Sequence, residues 1–296
     1  MKQDNKYLWV TGAGGQLGKV LTKQLAEWPE VNPFYTDLPE LDITRSIALR
    51  KAAMEHPPAL VINAAGYTAV DQAESEPEKA NAVNGKAVEQ LSMVCLAYDA
   101  WLIHISTDYV FDGSKNQPWL ETDHPGPISA YGYSKWIGEQ AVLKNPRGIV
   151  LRTSWLYSAE GKNFVTTILD IVEKRSEVKV VSDQVGSPTL ADDLAKVIAM
   201  IVQKIQKNSI EPGIYHYANS GSCSWYEFAV AIMEAAGLPW RVIPVPSADF
   251  PQAARRPAYS VLNTEKIRKA LNIEIPYWKD SLNHCVKKIM QQQKRK

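Results

Sequence analysis

A tyrosine and a lysine one helical turn apart are the residues of this chain best suited to proton transfer. Tyr131 and Lys135 form its one Tyr-x-x-x-Lys match, in the run AYGYSKWIGEQAVL. The run predicts a helix, which places both side chains on the same face. A lysine charge near the hydroxyl favours phenolate and lowers a tyrosine pKa that is ordinarily about 10. Such a tyrosine can exchange a proton with a carbonyl–alcohol couple near neutral pH.

A threonine upstream adds a hydrogen-bonding group. Thr107 directly follows a predicted strand, WLIHIS (residues 101–106), and lies 24 residues before Tyr131. It can bond the same substrate oxygen, while a nicotinamide carries the hydride. The alternative is a Tyr–Lys contact on a surface helix, since 13 tyrosines give about one match to this spacing by chance. The position of the pair after the fourth strand favours chemistry.

The glycine-rich stretch KYLWVTGAGGQLG, residues 6–18, indicates which cofactor the pair would serve. Gly12, Gly15 and Gly18 follow an apolar strand and open a predicted helix. Glycines at this spacing bend the chain, admit a pyrophosphate and let the helix pack on the strand. The free N–H groups of the first helical turn then face the phosphates. The alternative is an ordinary tight turn, but the strand–turn–helix context favours dinucleotide binding.

An acidic residue after the second predicted strand bears on the choice of dinucleotide. Asp37 lies 19 residues beyond Gly18, where a carboxylate can accept hydrogen bonds from the adenosine ribose and favours NAD over NADP. A plain loop aspartate is the alternative. In ELDIT, Asp42 and Ile43 are predicted to border the adenine, and Thr44 to cap the next helix.

The third strand ends in small residues. Ala64, Ala65 and Gly66 would let a cofactor lie against the backbone, although tight strand–helix packing needs the same residue types. Ser75 and Glu78 match a capping box, which predicts a single helix from there to about residue 98.

Strands and helices alternate through the first half, and the strands are almost continuously apolar. This predicts an α/β fold with a Rossmann-type, doubly wound parallel sheet. We assign residues 1–153 to an NAD(P)-binding domain, completed by about 187–220. Residues 154–186 and 221–296 are assigned to a smaller α/β substrate-binding lobe that caps the carboxyl edge of the sheet.

The bulk properties exclude several classes of protein. The chain has 296 residues, 45% of them hydrophobic and 22% charged, and a net charge of +1. That charge gives no bias toward nucleic acid or membranes. Three cysteines without a CxxC pair argue against a disulfide framework. No signal-peptide core and no apolar run of about 18 residues is present. We therefore expect a cytoplasmic protein that binds neither nucleic acid nor membranes.

The order and spacing of several segments resemble the extended short-chain dehydrogenases/reductases, and more closely the dTDP-4-dehydrorhamnose reductase family. The resemblance runs nearly end to end through TGAGGQLG, NAAGYTAVDQAE, STDYVFDG, YGYSK with GE, LRTSWLYS, GKNFV, DQVGSPT and ARRPAYSVLN. It implies that NADPH or NADH reduces the C4 keto group of dTDP-4-dehydro-L-rhamnose to give dTDP-L-rhamnose. This reaction belongs to nucleotide-sugar and polysaccharide biosynthesis.

The resemblance also implies roles for individual residues. Tyr131 would protonate the C4 oxygen, and Lys135 would also contact the nicotinamide ribose; with Thr107 they form the catalytic set. The cofactor-binding residues, including those argued above, are Gly12, Gly15, Gln16, Leu17, Gly18, Asp37, Asp42, Ile43, Ala64, Ala65, Gly66, Tyr131 and Lys135. The substrate-binding residues are Tyr67, Thr68, Val70, Thr107, Asp108, Tyr109, Trp155, Asn163, Gln184 and Arg256.

Two of these assignments also have a physical basis. The planar fork of Arg256 suits a diphosphate, whose oxygens it can bind in pairs. The indole of Trp155 offers a flat apolar face to a sugar ring, and a core tryptophan is the alternative that stays open.

The chain departs from the family pattern at a few positions. Gly66 replaces the usual third alanine, and Tyr133 and Trp136 are bulkier than expected around the active helix. Some family members join as dimers through a metal ion held by acidic residues. Gln16 stands where an acid would help, and the histidines are scattered, so no metal site is predicted. A homodimer and a monomer both stay open.

Rival functions differ in what they need after Thr107. A 4,6-dehydratase needs an Asp-Glu pair there to remove water, and this chain has Asp108 and Tyr109. An epimerase–reductase needs a cysteine in the same stretch, and STDYVFDG has none. Two alternatives stay open: a reductase of another 4-keto-6-deoxy nucleotide sugar, and a non-catalytic NADP-binding subunit like the regulatory subunit of methionine adenosyltransferase. The intact Tyr131–Lys135 pair favours an enzyme.

Overall fold

The fold is built on a six-stranded parallel sheet. A computed structural model describes residues 6–28, 31–172, 177–239 and 241–293. The six strands are β1 (Tyr7–Thr11), β2 (Pro33–Thr36), β3 (Pro58–Asn63), β4 (Trp101–Thr107), β5 (Gly148–Thr153) and β10 (Gly213–His216). Their order is β10-β5-β4-β3-β1-β2, and every neighbouring pair is parallel. This confirms the predicted α/β doubly wound class.

Helices cover both faces of the sheet. They are α1 (Gln16–Leu25), α2 (Ser46–Glu55), α3 (Val70–Ser75), α4 (Pro77–Asn81), α5 (Ala87–Ala97), α6 (Ala130–Leu143) and α8 (Ala191–Gln206). Successive residues of a strand point to opposite faces. Accordingly, Leu8 and Val10 pack in the same core as Leu21 of α1, whereas Trp9 packs with Leu49 of α2 on the other face.

The predicted single helix to about residue 98 is wrong in its start and its regularity. Ser75 ends α3, and Glu76, which offers no side-chain cap, precedes α4, so the capping box with Glu78 does not form. A π-helical turn, Ala82–Lys86, separates α4 from α5. The side chain of Asn84 in this turn bonds the backbone N–H and C=O of Tyr67 and the Ser134 hydroxyl. The turn therefore fixes the chain that follows β3.

A second lobe packs on its own core. It contains three two-stranded ladders: β6 (Leu156–Tyr157) with β9 (Thr189–Leu190), β7 (Glu177–Val181) with β12 (Arg241–Val245), and β8 (Val185–Gly186) with β11 (Cys223–Ser224). Its helices are α7 (Phe164–Val172), α9 (Trp225–Ala236) and α11 (Trp278–Gln293), and α10 (Glu265–Leu271) returns to the main sheet. The sequence predicts a helix over residues 163–175 in this lobe, and its residues 173–175 lie outside the described residues.

The run CSWYEFAVAIMEAAG predicts an amphipathic helix ended by Gly237, and α9 confirms it. Ser224 and Glu227 form a reciprocal capping box, and Gly237 ends the helix at a φ of +66°. Phe228, Trp278 and Tyr157 then meet in the core of the second lobe. Among the described helices, none has the length and apolar character needed to cross a membrane.

Candidate active site

The cleft lies where the strand order reverses. From β1 the chain moves outward to β2 and then returns to β3 on the other side of β1, and ligands of open α/β sheets bind at such points. A cavity of about 530 Å³ opens there, between the carboxyl ends of the strands and the second lobe. The predicted site residues that line it are Gly15, Gln16, Leu17, Ala64, Ala65, Gly66, Thr68, Val70, Thr107, Asp108, Tyr109, Tyr131, Lys135, Trp155 and Arg256.

The glycine loop fits a dinucleotide. Gly12 has a left-handed φ of +71°, and a Cβ there would lie 2.6 Å from the Ala65 nitrogen. A Cβ on Gly18 would lie 2.1 Å from the Gly12 oxygen, so α1 can pack this closely only with glycine. Gly15 precedes α1 and lines the cavity, so the free N–H groups of the helix start face it. These residues would hold the pyrophosphate of a nicotinamide cofactor.

Helix α6 places the tyrosine and the lysine in the cleft. The Ser129 hydroxyl accepts a hydrogen bond from the Gly132 N–H and so caps the helix. A Cβ on Gly132 would lie 2.1 Å from the Tyr109 oxygen, and one on Gly138 would lie 2.2 Å from the Asn84 oxygen. Small residues on this face therefore let α6 closely approach the segment that follows β4 and the π-helical turn.

The expected lowering of the Tyr131 pKa by Lys135 is wrong for this structure. Burial raises the pKa of Tyr131 to about 12, only partly offset by a hydrogen bond with the Thr107 hydroxyl. Burial also lowers the pKa of Lys135 to about 8, although the negative charge of Glu139 acts to raise it. The Lys135 amine donates to the Ile105 carbonyl oxygen at 2.6 Å, so it is engaged with β4 and not with Tyr131.

Thr107 and Asp108 share a hydrogen bond at the end of β4. The Thr107 hydroxyl donates to Asp108 Oδ1 at 3.1 Å and accepts from the Tyr109 N–H at 3.1 Å. Burial raises the pKa of Asp108 to about 7, opposed by hydrogen bonds from Ser260 and Thr107. The cleft thus holds a carboxyl group that changes its charge near neutral pH.

Two stacked tryptophans form the wall of the cleft in the second lobe. Trp155 has a φ of +48° and stacks on Trp225, with ring centroids 3.6 Å apart and planes 7° apart. A Cβ on Gly186 would lie 2.5 Å from the Trp155 ring, so the indole lies directly on the β8 backbone. A left-handed φ on a bulky residue is strained, and such strain concentrates at functional sites. Trp155 is therefore half-buried against a core and lines the cleft as well.

Arg256 reaches the cleft from the loop after β12. Its guanidinium donates to both carboxylate oxygens of Asp71 on α3, at 3.0 and 2.6 Å. The Arg256 hydrogen bond holds the pKa of Asp71 below its usual range. The pair spans the cleft between α3 and the second lobe, and Arg256 lines the cavity.

Other predicted site residues lie outside the cavity lining. Gly12 and Gly18 belong to the glycine loop but pack against neighbouring backbone and do not line the cavity. The Asp37 carboxylate accepts from the Gly14 N–H at 2.6 Å. The Asp42 carboxylate accepts from the Thr44 N–H and hydroxyl, and Ile43 is buried in the core. The predicted cap at Thr44 is wrong, because Arg45 is the residue that precedes α2.

Three predicted substrate residues have their side chains engaged elsewhere. The Tyr67 hydroxyl bonds Glu76 at 3.0 Å, and the Gln184 amide donates to Ser247 at 2.9 Å. The Asn163 side chain bonds the Ser158 oxygen and the Thr166 nitrogen at the start of α7. Local capping and loop closure thus take up the polar groups that the resemblance assigns to substrate binding.

The structure adds cleft residues that the sequence did not single out. They are Ile105, Ser106, Thr153, Ser154, Leu156, Lys162 and Trp225. For Trp225 a signal was present, an aromatic residue directly after the Ser224 cap, in the first turn of an amphipathic helix. The residues at the ends of β4 and β5 follow from the parallel pairing of these strands.

A parallel sheet with a glycine cradle and a helical Tyr-x-x-x-Lys pair in one cleft defines an extended short-chain dehydrogenase/reductase. The family model for the RmlD substrate binding domain matches residues 6–291, and the chain belongs to this family, that of the dTDP-4-dehydrorhamnose reductases.

Relatives of the chain match it over almost their whole length. It is 40% identical to a dTDP-4-dehydrorhamnose reductase of Burkholderia thailandensis, over 96% of this chain and 99% of the relative. A crystal structure of such a reductase from Clostridium acetobutylicum superposes with a TM-score of 0.90 at 39% identity, covering 96% and 99% of the two chains. One from Bacillus anthracis in complex with NADP gives a TM-score of 0.89 at 37% identity, covering 95% and 99%.

Proposed function

We infer that this protein is an NAD(P)H-dependent reductase that converts dTDP-4-dehydro-L-rhamnose to dTDP-L-rhamnose. The observation that carries the inference is the convergence of Thr107, Tyr131 and Lys135 on the cleft formed by the glycine loop and residues 64–66. Full-length relatives with this name, about 40% identical, support the substrate.

Tyr131 is proposed as the proton donor to the C4 oxygen. When bound, a reduced nicotinamide supplies the hydride. A reduction consumes a proton, and Tyr131 keeps its own at neutral pH because burial raises its pKa to about 12. The Thr107 hydroxyl lines the same cavity as Tyr131 and is positioned to bind the same substrate oxygen. Lys135, one turn along α6, holds a positive charge below its pKa of about 8 and would stabilise the phenolate left after transfer.

Trp155, Trp225 and Arg256 are proposed to bind the nucleotide sugar. The stacked indoles give an apolar wall for the sugar, and the Arg256 fork suits the diphosphate. Two observations bear on the cofactor. Asp37 beside the glycine loop favours NADH, whereas the Bacillus anthracis relative is in complex with NADP and so favours NADPH. We keep both, and a homodimer and a monomer are both compatible with this site.

The test is oxidation of NADPH and of NADH with freshly generated dTDP-4-dehydrorhamnose, followed by loss of the reduced-nicotinamide absorbance. We expect Tyr131→Phe to lower kcat by about 10²–10⁴-fold, because it removes the proton donor. Tyr133→Phe is the matched control, since this exposed tyrosine on the same helix packs edge-on against Trp136 and should keep full activity.

Each outcome leads to a different conclusion. Oxidation by the wild type that is lost in Tyr131→Phe with cofactor binding retained supports the substrate and the proton donor together. Cofactor binding without oxidation contradicts the assigned substrate and leads to other 4-keto-6-deoxy nucleotide sugars. If those also fail, the non-catalytic subunit becomes the better interpretation.

A further inference from the structure

A chain of buried polar side chains crosses the sheet behind the cleft and ends at Lys135. The Thr11 hydroxyl on β1 bonds Asn63 Oδ1 on β3 at 2.7 Å. Asn63 Nδ2 lies 3.0 Å from His104 Nδ1 on β4, and His104 Nε2 lies 3.4 Å from Lys135 Nζ. Thr11, Asn63 and His104 are fully buried, so each polar atom must be satisfied within this chain.

The backbone N–H of Ala65 fixes the orientation of the Asn63 amide. This N–H lies 3.2 Å from Asn63 Oδ1, and a backbone N–H can only donate. The amide oxygen must therefore face Ala65 and Thr11, which turns the NH₂ group toward His104. Because that NH₂ group is also a donor, His104 Nδ1 must accept and carries no proton.

His104 is a neutral imidazole with its proton on the other nitrogen. Burial, together with the nearby Lys135 charge, lowers its pKa well below the ordinary value. A neutral ring has one N–H, and since Nδ1 accepts, that N–H is on Nε2. It points at Lys135 Nζ. Two donors would face each other if Lys135 were an ammonium, whereas a neutral amine offers a lone pair.

The other groups around Lys135 do not remove this conflict. Glu139 on the same helix has both carboxylate oxygens bonded by the Arg152 guanidinium, and Ser106 also donates to it. The Ile105 carbonyl accepts from Nζ in either charge state. The titratable groups at this end of the cleft also include Tyr131 and Tyr109, which burial keeps protonated, and Asp108 beyond Thr107. The imidazole is thus the contact that distinguishes amine from ammonium.

We propose that His104, locked as the Nε2–H tautomer by Asn63, is a positioning residue that favours the neutral amine of Lys135. The proposal rests on the proposed function only for the importance of Lys135. It agrees with a Lys135 pKa of about 8. Such a lysine readily gives up its ammonium proton when the reduction consumes one. The amine formed then accepts from His104 Nε2–H, and solvent returns the proton to Lys135.

The test uses the full chain without substrate. Nitrogen NMR of the imidazole rings distinguishes a protonated ring nitrogen from a bare one. We expect His104 to carry its proton on Nε2 in the wild type. Asn63→Asp should move that proton to Nδ1, because a carboxylate only accepts. Nε2 would then accept from the ammonium, and the titration midpoint of Lys135, read from its side-chain nitrogen, should rise by about one pH unit.

Thr11→Val is the matched control. It removes the Thr11 hydroxyl at the far end of the hydrogen-bonded series. Ala65 still orients the Asn63 amide, so the His104 tautomer and the Lys135 midpoint should stay as in the wild type. A proton on Nδ1 of His104 in the wild type would overturn the proposal. This measurement uses the wild-type protein alone, so it does not depend on whether a variant folds. An Asn63→Asp protein that moves the proton and leaves the Lys135 midpoint unchanged would overturn the proposal as well. Neither readout depends on catalysis, so the proposed reductase activity can fail separately.

Discussion

Two arginine–carboxylate pairs flank the cleft, with the same chemistry and opposite surroundings. Glu139 on α6 pairs with Arg152 on β5, and the side chains of Arg152 and Glu139 are 1% and 0% exposed. Arg256 and Asp71 cross the mouth of the cleft, and their side chains are 14% and 48% exposed. Both pairs make two hydrogen bonds between the guanidinium and the carboxylate.

The difference shows how surroundings decide what an ion pair does. Glu139 also accepts from Ser106, and Arg152 contacts His216 at 3.3 Å, so this pair has no room for a ligand and supports the strands below Lys135. Asp71, by contrast, is half exposed to water. Water can therefore solvate its carboxylate when Arg256 binds another anion instead. We infer that the buried pair is structural and that the exposed pair is exchangeable.

The largest expected effect comes from breaking the buried pair. Glu139→Gln leaves the Arg152 charge buried without a counter-charge and should lower the free energy of unfolding by about 3–5 kcal/mol. Glu265→Gln breaks an exposed pair with Lys269 and serves as the control, and it should leave the free energy of unfolding almost unchanged because water screens this pair. Urea unfolding measures both. Similar small losses in the two variants would contradict the structural role of the buried pair.

Asp108 is a buried carboxyl group that pairs with no arginine among the described residues, so it can be compared with Glu139 and Asp71. The pKa of Asp108 is raised to about 7 by burial, so between about pH 4 and 7 the folded protein holds a proton that the unfolded chain has released. Stability from this group is therefore full at low pH and is lost as pH rises through that window, by up to about 4 kcal/mol.

Asp108→Asn has no charge to bury, so its stability relative to the wild type should rise from pH 5 to pH 8. Unfolding curves at the two pH values measure this change. A stability difference that does not change with pH would mean that Asp108 is ionised in the folded protein at both values.

The smallest effect is expected at the exposed pair. Arg256→Lys keeps the charge and loses the fork, so KM for the nucleotide sugar should rise about tenfold with little change in kcat or in stability. The neighbouring, exposed Arg255→Lys is the control and should leave KM unchanged. Steady-state kinetics decide, and equal KM values for the two variants would place the diphosphate away from Arg256.

The parts of the site that sequence predicted are those set by local rules. Gly12, Gly15 and Gly18 are required by backbone geometry, and Tyr131 and Lys135 share a face because helical spacing demands it. The failures have local causes as well. The Ser75–Glu78 pattern fits a capping box but ends one helix, and Asn163 caps α7 instead of facing the cleft.

By itself the sequence determined the order of strands and helices, the glycine loop and the Tyr–Lys pair, because each depends on residues a few positions apart. Only the tertiary structure decided what surrounds that pair. Asp71 meets Arg256 across 185 positions, and Asn63 meets His104 across 41. The charge states of Tyr131, Lys135 and Asp108 follow from burial, which comes from packing the sheet, α6 and the second lobe together. Desolvation is a property of the assembled fold and not of any short stretch of the chain.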